Sequence, residues 1–485
     1  MATMRGLLTA AVAAAALLVA PAAHSGGPSM VVGAAEDDVK AGTLTEAKAK
    51  LDLLKVAGLG AVRVTSIWDP ANPDPTADEL NQLNNLTAAA KLDGLDVFVA
   101  VYNFGSRTTP LTADDQASFA NHAASLARQV PDLQNFIIGN EPNLNRFWLP
   151  QFNSDGTDAA APAYLSLLAR TYMALKAADP TVKVFGGAIS PRGIDRPGTG
   201  RDTHSPTVFI QDMGAAYRAS GLTGPVMDAL AIHPYPENST IPPTFAHPNT
   251  TPVGIADYTK LVGLLTKAFE GTGQPGATLP ILYAEYGVET QIPAGKASEY
   301  TGTEPATIKP VPESTQASYY RQAMAMSFCQ PNVMGLLIFH AFDETALDRF
   351  QSGLYYPDET PKSSLPTVRA AARDVRGGVI AKCDGLELTP KAKVAYPRVR
   401  SISAGTAAIA VTCDIDCTIY ARLERLPRHS TTLVARAAGK AGERALAKFR
   451  KTRLAPGRYR YTVRLTAPVN SGQPLALATA PLIVR

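Results

Sequence analysis

Eight short apolar runs, rich in Val, Ile, Leu or Phe, punctuate the first 340 residues of this 485-residue chain. They cover 30–33, 61–67, 96–102, 135–139, 183–188, 227–232, 280–284 and 334–339. None alternates strictly between apolar and polar residues, which is the pattern of strands buried on both faces of a parallel sheet. Most of the intervening segments carry helix signals. Thr112 precedes Asp115 by three positions, a near capping box. Ser205-Pro206 puts a capping residue ahead of a proline at the first helical position. Residues 77–92 place Leu80, Leu83 and Leu86 on one face and meet Gly94. Residues 163–178 and 316–328 also read as helices. Strand then helix, repeated eight times, predicts an α/β chain closed as a (β/α)8 TIM barrel. An open doubly wound sheet is the alternative, and no G-x-G-x-x-G follows the first run to favour it.

The pattern changes after residue 385. Residues 407–411, 418–421 and 459–465 alternate, with Ala455-Pro456-Gly457 as a turn signal, and predict a small antiparallel β-sandwich of immunoglobulin or fibronectin type. Charge marks the same boundary. From Leu386 onward there are 18 Lys and Arg against five Asp and Glu, a net of +13, and the remainder carries 28 against 37. Two unlike surfaces are therefore expected, a barrel over 26–385 and a basic domain over 386–485.

Residues 1–25 are set apart from the fold. A positive start at Arg5, an alanine-rich apolar stretch over 6–20 and small residues near Ala22 and Ser25 read as a secretory signal peptide. The stretch is shorter than the ~20 residues of a spanning helix, although an uncleaved anchor is the alternative. Export permits disulfides. Cys413 and Cys417 bracket three residues of β-type sequence and suit a local clip, leaving Cys329 to pair with Cys383. Free buried thiols are the other reading.

The chemistry-bearing residues stand at strand ends. Phe136-Ile137-Ile138-Gly139-Asn140-Glu141-Pro142-Asn143 puts Asn140 and Glu141 at the end of the fourth run, where Pro142 cannot continue a ladder. Ile281-Leu282-Tyr283-Ala284-Glu285-Tyr286-Gly287 puts Glu285 at the end of the seventh. Barrel active sites are built at the carboxyl ends of strands. Two carboxyl groups there can flank a glycosidic bond, one attacking the sugar while the other protonates the leaving oxygen. Glu289, four residues past Glu285, competes for the nucleophile's role but lies beyond the turn.

These fragments resemble the acid/base and nucleophile motifs of clan A glycoside hydrolases, the retaining barrel clan that includes cellulases, mannanases and β-galactosidases. The resemblance covers roughly residues 29–375, as architecture and strand-end motifs. It implies that Glu141 is the general acid and then the base, that Glu285 is the nucleophile, and that Asn140 bonds the sugar 2-hydroxyl. His233-Pro234-Tyr235 after the sixth run matches the clan's His-x-Tyr pattern. It implies that Tyr235 touches the nucleophile and that His233 lies near the acid/base. Arg63 in the second run matches the arginine that orients the nucleophile. One position departs from the pattern: the clan usually ends its eighth strand in tryptophan, and here His340 stands there. A smaller, more polar floor and an unusual sugar would follow, unless Phe342 or Trp148 supplies the platform. Trp68, Tyr102, Trp148 and Tyr286 are the other stacking candidates, each of which could equally be core.

The expected function is a secreted retaining glycosidase acting on a poly- or oligosaccharide, extracellular or attached to the cell envelope. The β label and the hydrolytic outcome come from the resemblance, and transglycosylation would use the same residues. Two other classes fit the chain: a catalytically inactive glycan-binding barrel, and a surface adhesin whose basic domain holds an anionic cell-surface polymer. No metal or nucleotide cofactor and no nucleic-acid partner is expected. His204, His233 and His247 lack ligand spacing, and no phosphate-binding loop is present.

Overall fold

The computed structural model describes residues 27–378, 380 and 383, and then 392–396, 408–413, 417–426, 430–439, 443–450, 454–466 and 475–484. The expected signal peptide and the boundary near residue 385 lie outside the described residues. Eight parallel strands close into a barrel in sequence order. They are β1 Val31–Ala35, β2 Ala61–Trp68, β3 Asp96–Asn103, β4 Asn135–Ile138, β5 Lys183–Ile189, β6 Ala229–Ile232, β7 Ile281–Tyr286 and β8 Val333–Phe339. Closure comes from β8 pairing with β1, Gly335 opposite Val31 and Phe339 opposite Ala35. Each anticipated run falls on one of these strands, with shifts of one or two residues at the ends.

Eight helices surround the barrel: α1 Leu44–Val56, α2 Ala77–Asp93, α3 Ala113–Gln129, α4 Ala160–Ala178, α5 Pro206–Ser220, α6 Tyr258–Phe269, α7 Glu313–Phe328 and α8 Leu365–Arg376. The cap signals act as the sequence suggests. Thr112 Oγ1 accepts from the Asp115 amide at 3.1 Å and donates to its carboxylate at 2.7 Å. Ser205 caps α5 from its own hydroxyl, with Pro206 behind it. Gly94 closes α2 at φ 69°, a left-handed turn that glycine adopts at little cost.

The strands lack alternation because both of their faces are buried. Phe98, Ile137, Phe185, Leu282 and Leu337 fill the barrel interior. Their sequence neighbours Val97, Val99, Phe136, Ile138 and Leu336 pack outward under the helices. Long loops follow strands at the rim where the strands end. They begin at Ser190 after β5, His233 after β6, Gly287 after β7 and His340 after β8.

The C-terminal strands form two antiparallel sheets. β9 Ala392–Ala395, β10 Ala408–Cys413 and β13 Arg444–Lys448 make one, and β11 Cys417–Arg425, β12 Ser430–Gly439, β14 Gly457–Thr466 and β15 Leu475–Val484 make the other. Alternation drives the packing. Along β14, Tyr459, Tyr461, Val463 and Leu465 enter a core shared with Ile409 and Val411 of the other sheet. Arg458, Arg460 and Arg464 face outward. Cys413 and Cys417 are bonded across a Cα separation of 6.4 Å, and Cys329 and Cys383 across 5.4 Å. The second bond ties the end of α7 to residue 383, 54 positions on, closing a loop that restricts the unfolded chain.

Candidate active site

The rim of the barrel is shaped first by backbone. Gly139 follows β4 at φ 88°, and a Cβ there would lie 2.9 Å from the Tyr164 ring. Tyr164, on α4, donates from its hydroxyl to the Ile138 carbonyl at 2.6 Å and accepts from the Gly187 amide at 2.6 Å. It thus fastens the ends of β4 and β5 together. Glu141 then takes φ 43°, and its amide donates to Ala188, itself at φ 46°. Left-handed conformations cost a non-glycine residue about 1–2 kcal/mol each and persist where surrounding structure enforces them. Asn143 provides enforcement: wholly buried, it bonds Ser190 through both its amide nitrogen and its oxygen, and also reaches the His204 carbonyl at 2.8 Å. These contacts turn the Glu141 side chain from the end of β4 into the barrel mouth.

Glu285 meets it from β7. Arg63 of β2 hydrogen-bonds and ion-pairs with Glu285 Oε1, and also donates to the Ala284 carbonyl at 3.3 Å. The Tyr235 hydroxyl donates to Oε2 at 3.0 Å. His233 bridges the two acids, with Nδ1 3.1 Å from Glu141 Oε1 and 3.5 Å from Glu285 Oε2. Its Nε2 is buried with no hydrogen-bond partner among the described residues, so Nδ1 is the nitrogen engaged with the carboxylates. The two glutamate oxygens are therefore separated by no more than 3.1 plus 3.5 Å laid end to end.

Electrostatics separate the groups. Burial pushes the Glu285 carboxyl up, but attraction to His233 and Arg63 and the hydrogen bonds from Arg63 and Tyr235 outweigh it, so Glu285 sits below its ordinary 4.5. Tyr235 moves the other way. Burial, with the nearby Glu285 and Glu141, holds its phenol well above 10, as a donor. Glu289, by contrast, has few compensating partners, and burial lifts it to about 7.

These residues open into a cavity of about 530 Å³, within the size range of small-molecule sites. Asn140 lines it, with its Oδ1 buried and without a hydrogen-bond partner among the described residues. His340 lines it too, its Nδ1 bonded to the Ala35 carbonyl at 2.8 Å. Trp68, Trp148 and Tyr286, taken from sequence as stacking candidates, do not reach the cavity. Trp68 packs on Phe119, Trp148 on Tyr164 and Tyr286 on Tyr320, and each is at most 1% exposed. Phe342 is likewise core, against Tyr355. The aromatic wall consists instead of Phe339 and Phe350, 4.8 Å apart at centroid, with Tyr102, Tyr235 and Phe147. Sequence reading missed Phe350 and Arg192 because both sit in rim loops without regular pattern.

No protein-family model matches this sequence, and no curated protein matches it. Solved structures do. A family 39 glycoside hydrolase from the gut symbiont Bacteroides cellulosilyticus WH2 superposes with a TM-score of 0.52 at 14% identity, over 87% of this chain and 81% of that one. The chain shares its fold with that enzyme. At this identity the likeness extends to the fold, which is glycoside hydrolase-like. A GH5_18 protein from Streptomyces cattleya in complex with GlcNAc gives 0.48 at 17%, over 72% and 81%. A β-glucuronidase of Bacteroides uniformis gives 0.45 at 12%, over 94% of this chain and 46% of its own length.

Proposed function

We propose that this chain is a retaining glycoside hydrolase of clan A type, with Glu285 as nucleophile and Glu141 as acid/base. One observation carries the reading: His233 Nδ1 contacts both carboxylates, at 3.1 and 3.5 Å. A contact shared through one nitrogen brings the two carboxyl groups to the same point of the cavity, within reach of one sugar, and this supports the close ~5–5.5 Å spacing of retaining enzymes over the wider gap of inverting ones. In the first step Glu285 Oε attacks the anomeric carbon, the glycosidic C–O bond breaks, and Glu141 gives its proton to the leaving oxygen. In the second, Glu141 takes a proton from water as that water attacks the anomeric carbon and frees Glu285. Arg63 and Tyr235 keep Glu285 ionised for attack and receive its charge again at the end. Asn140, with amide donors and an idle oxygen in the cavity, is suited to the sugar 2-hydroxyl. A sugar hydroxyl as acceptor in place of water would give transglycosylation with the same residues.

Export is the second part of the proposal. The two disulfides suit an oxidising compartment, and among the described residues no helix is long and apolar enough to cross a membrane. The basic domain is read as an anchor to anionic polymer. The register sets Arg422, Arg436, Arg460 and Arg464 on one face of the four-stranded sheet around Tyr420, with the Arg436 guanidinium 4.7 Å from the Tyr420 ring centre. Attraction of this kind is long-range and weakened by salt.

The test is incubation with activated 2-deoxy-2-fluoro glycosides, followed by peptide mass analysis. Covalent modification at Glu285, with activity lost in step, is expected. Modification elsewhere, or inversion at the anomeric centre of the first product, removes the assignment.

A further inference from the structure

The cavity's charges are unevenly matched. Every carboxylate outside the catalytic pair already has a protein partner or is poorly exposed. Asp37 pairs with Lys40 at 2.9 Å and accepts from the Thr65 amide at 2.7 Å. Glu237 is bonded to His247 Nε2 at 2.7 Å. Glu344 accepts from the Phe350 amide at 3.0 Å and lies 3.8 Å from His340 Nε2. Glu289 is partly buried, its Oε2 shielded from solvent.

The arginines are different. Arg63 is committed to Glu285, but Arg146, Arg192 and Arg349 also line the cavity, and none forms an ion pair among the described residues. Arg146 lies over the Phe147 ring, and Arg349 is exposed. Arg192 is the telling one. It is half-buried in the loop after β5, and one Nη1 hydrogen bond to the Tyr235 carbonyl at 3.0 Å fixes its orientation. Glu237 and Glu141 attract it through space, but among the described residues neither forms an ion pair with it and its remaining N–H groups have no acceptor. A guanidinium is costly to bury without a directly bonded anion, and its fork matches carboxylate geometry. The same backbone carbonyl belongs to the residue whose phenol holds Glu285, so an anion on Arg192 would lie against the reacting sugar or its neighbour.

We propose, resting on the glycosidase reading above, that the substrate is an acidic polysaccharide and that Arg192 binds the carboxylate of a uronic acid in it. A sulfate ester would offer the same charge, and the experiment separates the two.

The full-length protein is incubated with polygalacturonate, alginate, glucuronoxylan and hyaluronan, each paired with its carboxyl-reduced neutral form, and with a sulfated neutral galactan. Reducing ends are counted. Cleavage of at least one uronate polymer is expected, at a kcat/KM ten or more times that of its reduced partner. Arg192→Leu should lower that acid-to-neutral ratio roughly 10- to 100-fold, the range of a charge-assisted hydrogen bond, and Arg192→Lys should retain part of it. Any effect of Arg192 on Glu141 enters both substrates and cancels in the ratio. Melting temperatures establish that the variants fold. Cleavage confined to neutral polymers, preference for the sulfated one, or a ratio unmoved in both variants overturns the proposal. Fluoro-glycoside labelling of Glu285, run alongside, shows whether the hydrolase reading survives that outcome.

Discussion

Two concavities on the barrel invite comparison. The larger, about 1070 Å³, runs between α4 and α5 and is lined by Leu165, Ala169, Val208, Ala216 and Leu222. The smaller, about 530 Å³, sits at the strand ends. Both contain carboxylates and a histidine, yet they use them in opposite ways. In the groove, Asp158 accepts from the Ala161 amide at 2.9 Å and lies 3.3 Å from His204. Burial lifts its carboxyl to about 6 and raises Asp212 as well. These groups tie the 151–158 loop to the start of α4. At the strand ends, a buried carboxylate is instead held charged by Arg63 and Tyr235, facing a second acid across His233. Volume alone does not mark a candidate reaction centre; convergence of complementary groups, here from β2, β4, β6 and β7, does.

The comparison breaks most simply at the two acids. Glu285→Gln should lower kcat by about 10⁴-fold or more, since no covalent intermediate can form. Glu141→Ala should cost about 10²–10⁴-fold on poor leaving groups, and much less on dinitrophenyl glycosides, which need no proton. Added azide should recover turnover of the alanine variant and yield a glycosyl azide of retained configuration. If Glu141→Ala behaves alike on good and poor leaving groups, Glu141 is not the acid.

Arg63 tests why Glu285 stays charged. Because the folded-state value is held below 4.5, the acidic limb of kcat/KM should fall below pH 4.5 in the wild type. Arg63→Gln removes part of what opposes the burial penalty, so the limb should move to higher pH. A reduction of about 10²-fold at neutral pH is expected with it, comparable to loss of one preorganised donor. The Arg63–Glu285 interaction also stabilises the fold above the unfolded carboxyl value, and that part is lost as pH falls through the folded one.

Much of this site was legible in the sequence, for identifiable reasons. Strands buried on both faces show as unbroken apolar runs, so the carboxyl end of each run marks the rim, and Asn140, Glu141, His233, Tyr235 and Glu285 all stand there. Arg63 was named from the resemblance, and its ion pair with Glu285 gives the physical reason a charged residue stands inside such a run. Of the aromatic candidates, Tyr102 lines the cavity while Trp68, Trp148 and Tyr286 are core, because an aromatic residue beside a strand end has two places to go and sequence does not say which. Trp148 follows Glu141 by seven residues, yet turns back onto Tyr164. Arg192 and Phe350 depend on how long loops fold over the mouth, a property of tertiary packing rather than of local pattern. Asn143, to which sequence reading gave no role, braces the loop after β5.

Glu289 sharpens the contrast within a single loop. It stands four residues from Glu285, and burial, which the Gln351 backbone and Lys362 offset only in part, lifts it to about 7 rather than lowering it. The native state then binds more protons than the unfolded chain between pH 4.5 and 7, so stability declines as pH rises through that window. Glu289→Gln removes the penalty. It should stabilise the protein by about 2 kcal/mol at pH 8 and change little at pH 4, read as the difference in melting temperature across a pH series. A gap independent of pH would show that Glu289 keeps its charge.

The smallest catalytic effect belongs to the groove. Asp158→Asn and Asp212→Asn stand far from the strand-end acids in role, because their carboxyl groups are already disfavoured as anions. Kinetic constants on any substrate the wild type cleaves should stay within about threefold, a change of well under 1 kcal/mol. Stability should still respond. With Asp158 raised from 3.8 to about 6, the wild type loses stability as pH climbs through that interval, and the asparagine variant should lose less of it. A loss of kcat in either variant as large as that of Glu141→Ala would reverse the comparison and move the chemistry to the larger cavity. A stability effect with turnover intact is what a groove that only fastens a loop to α4 must give.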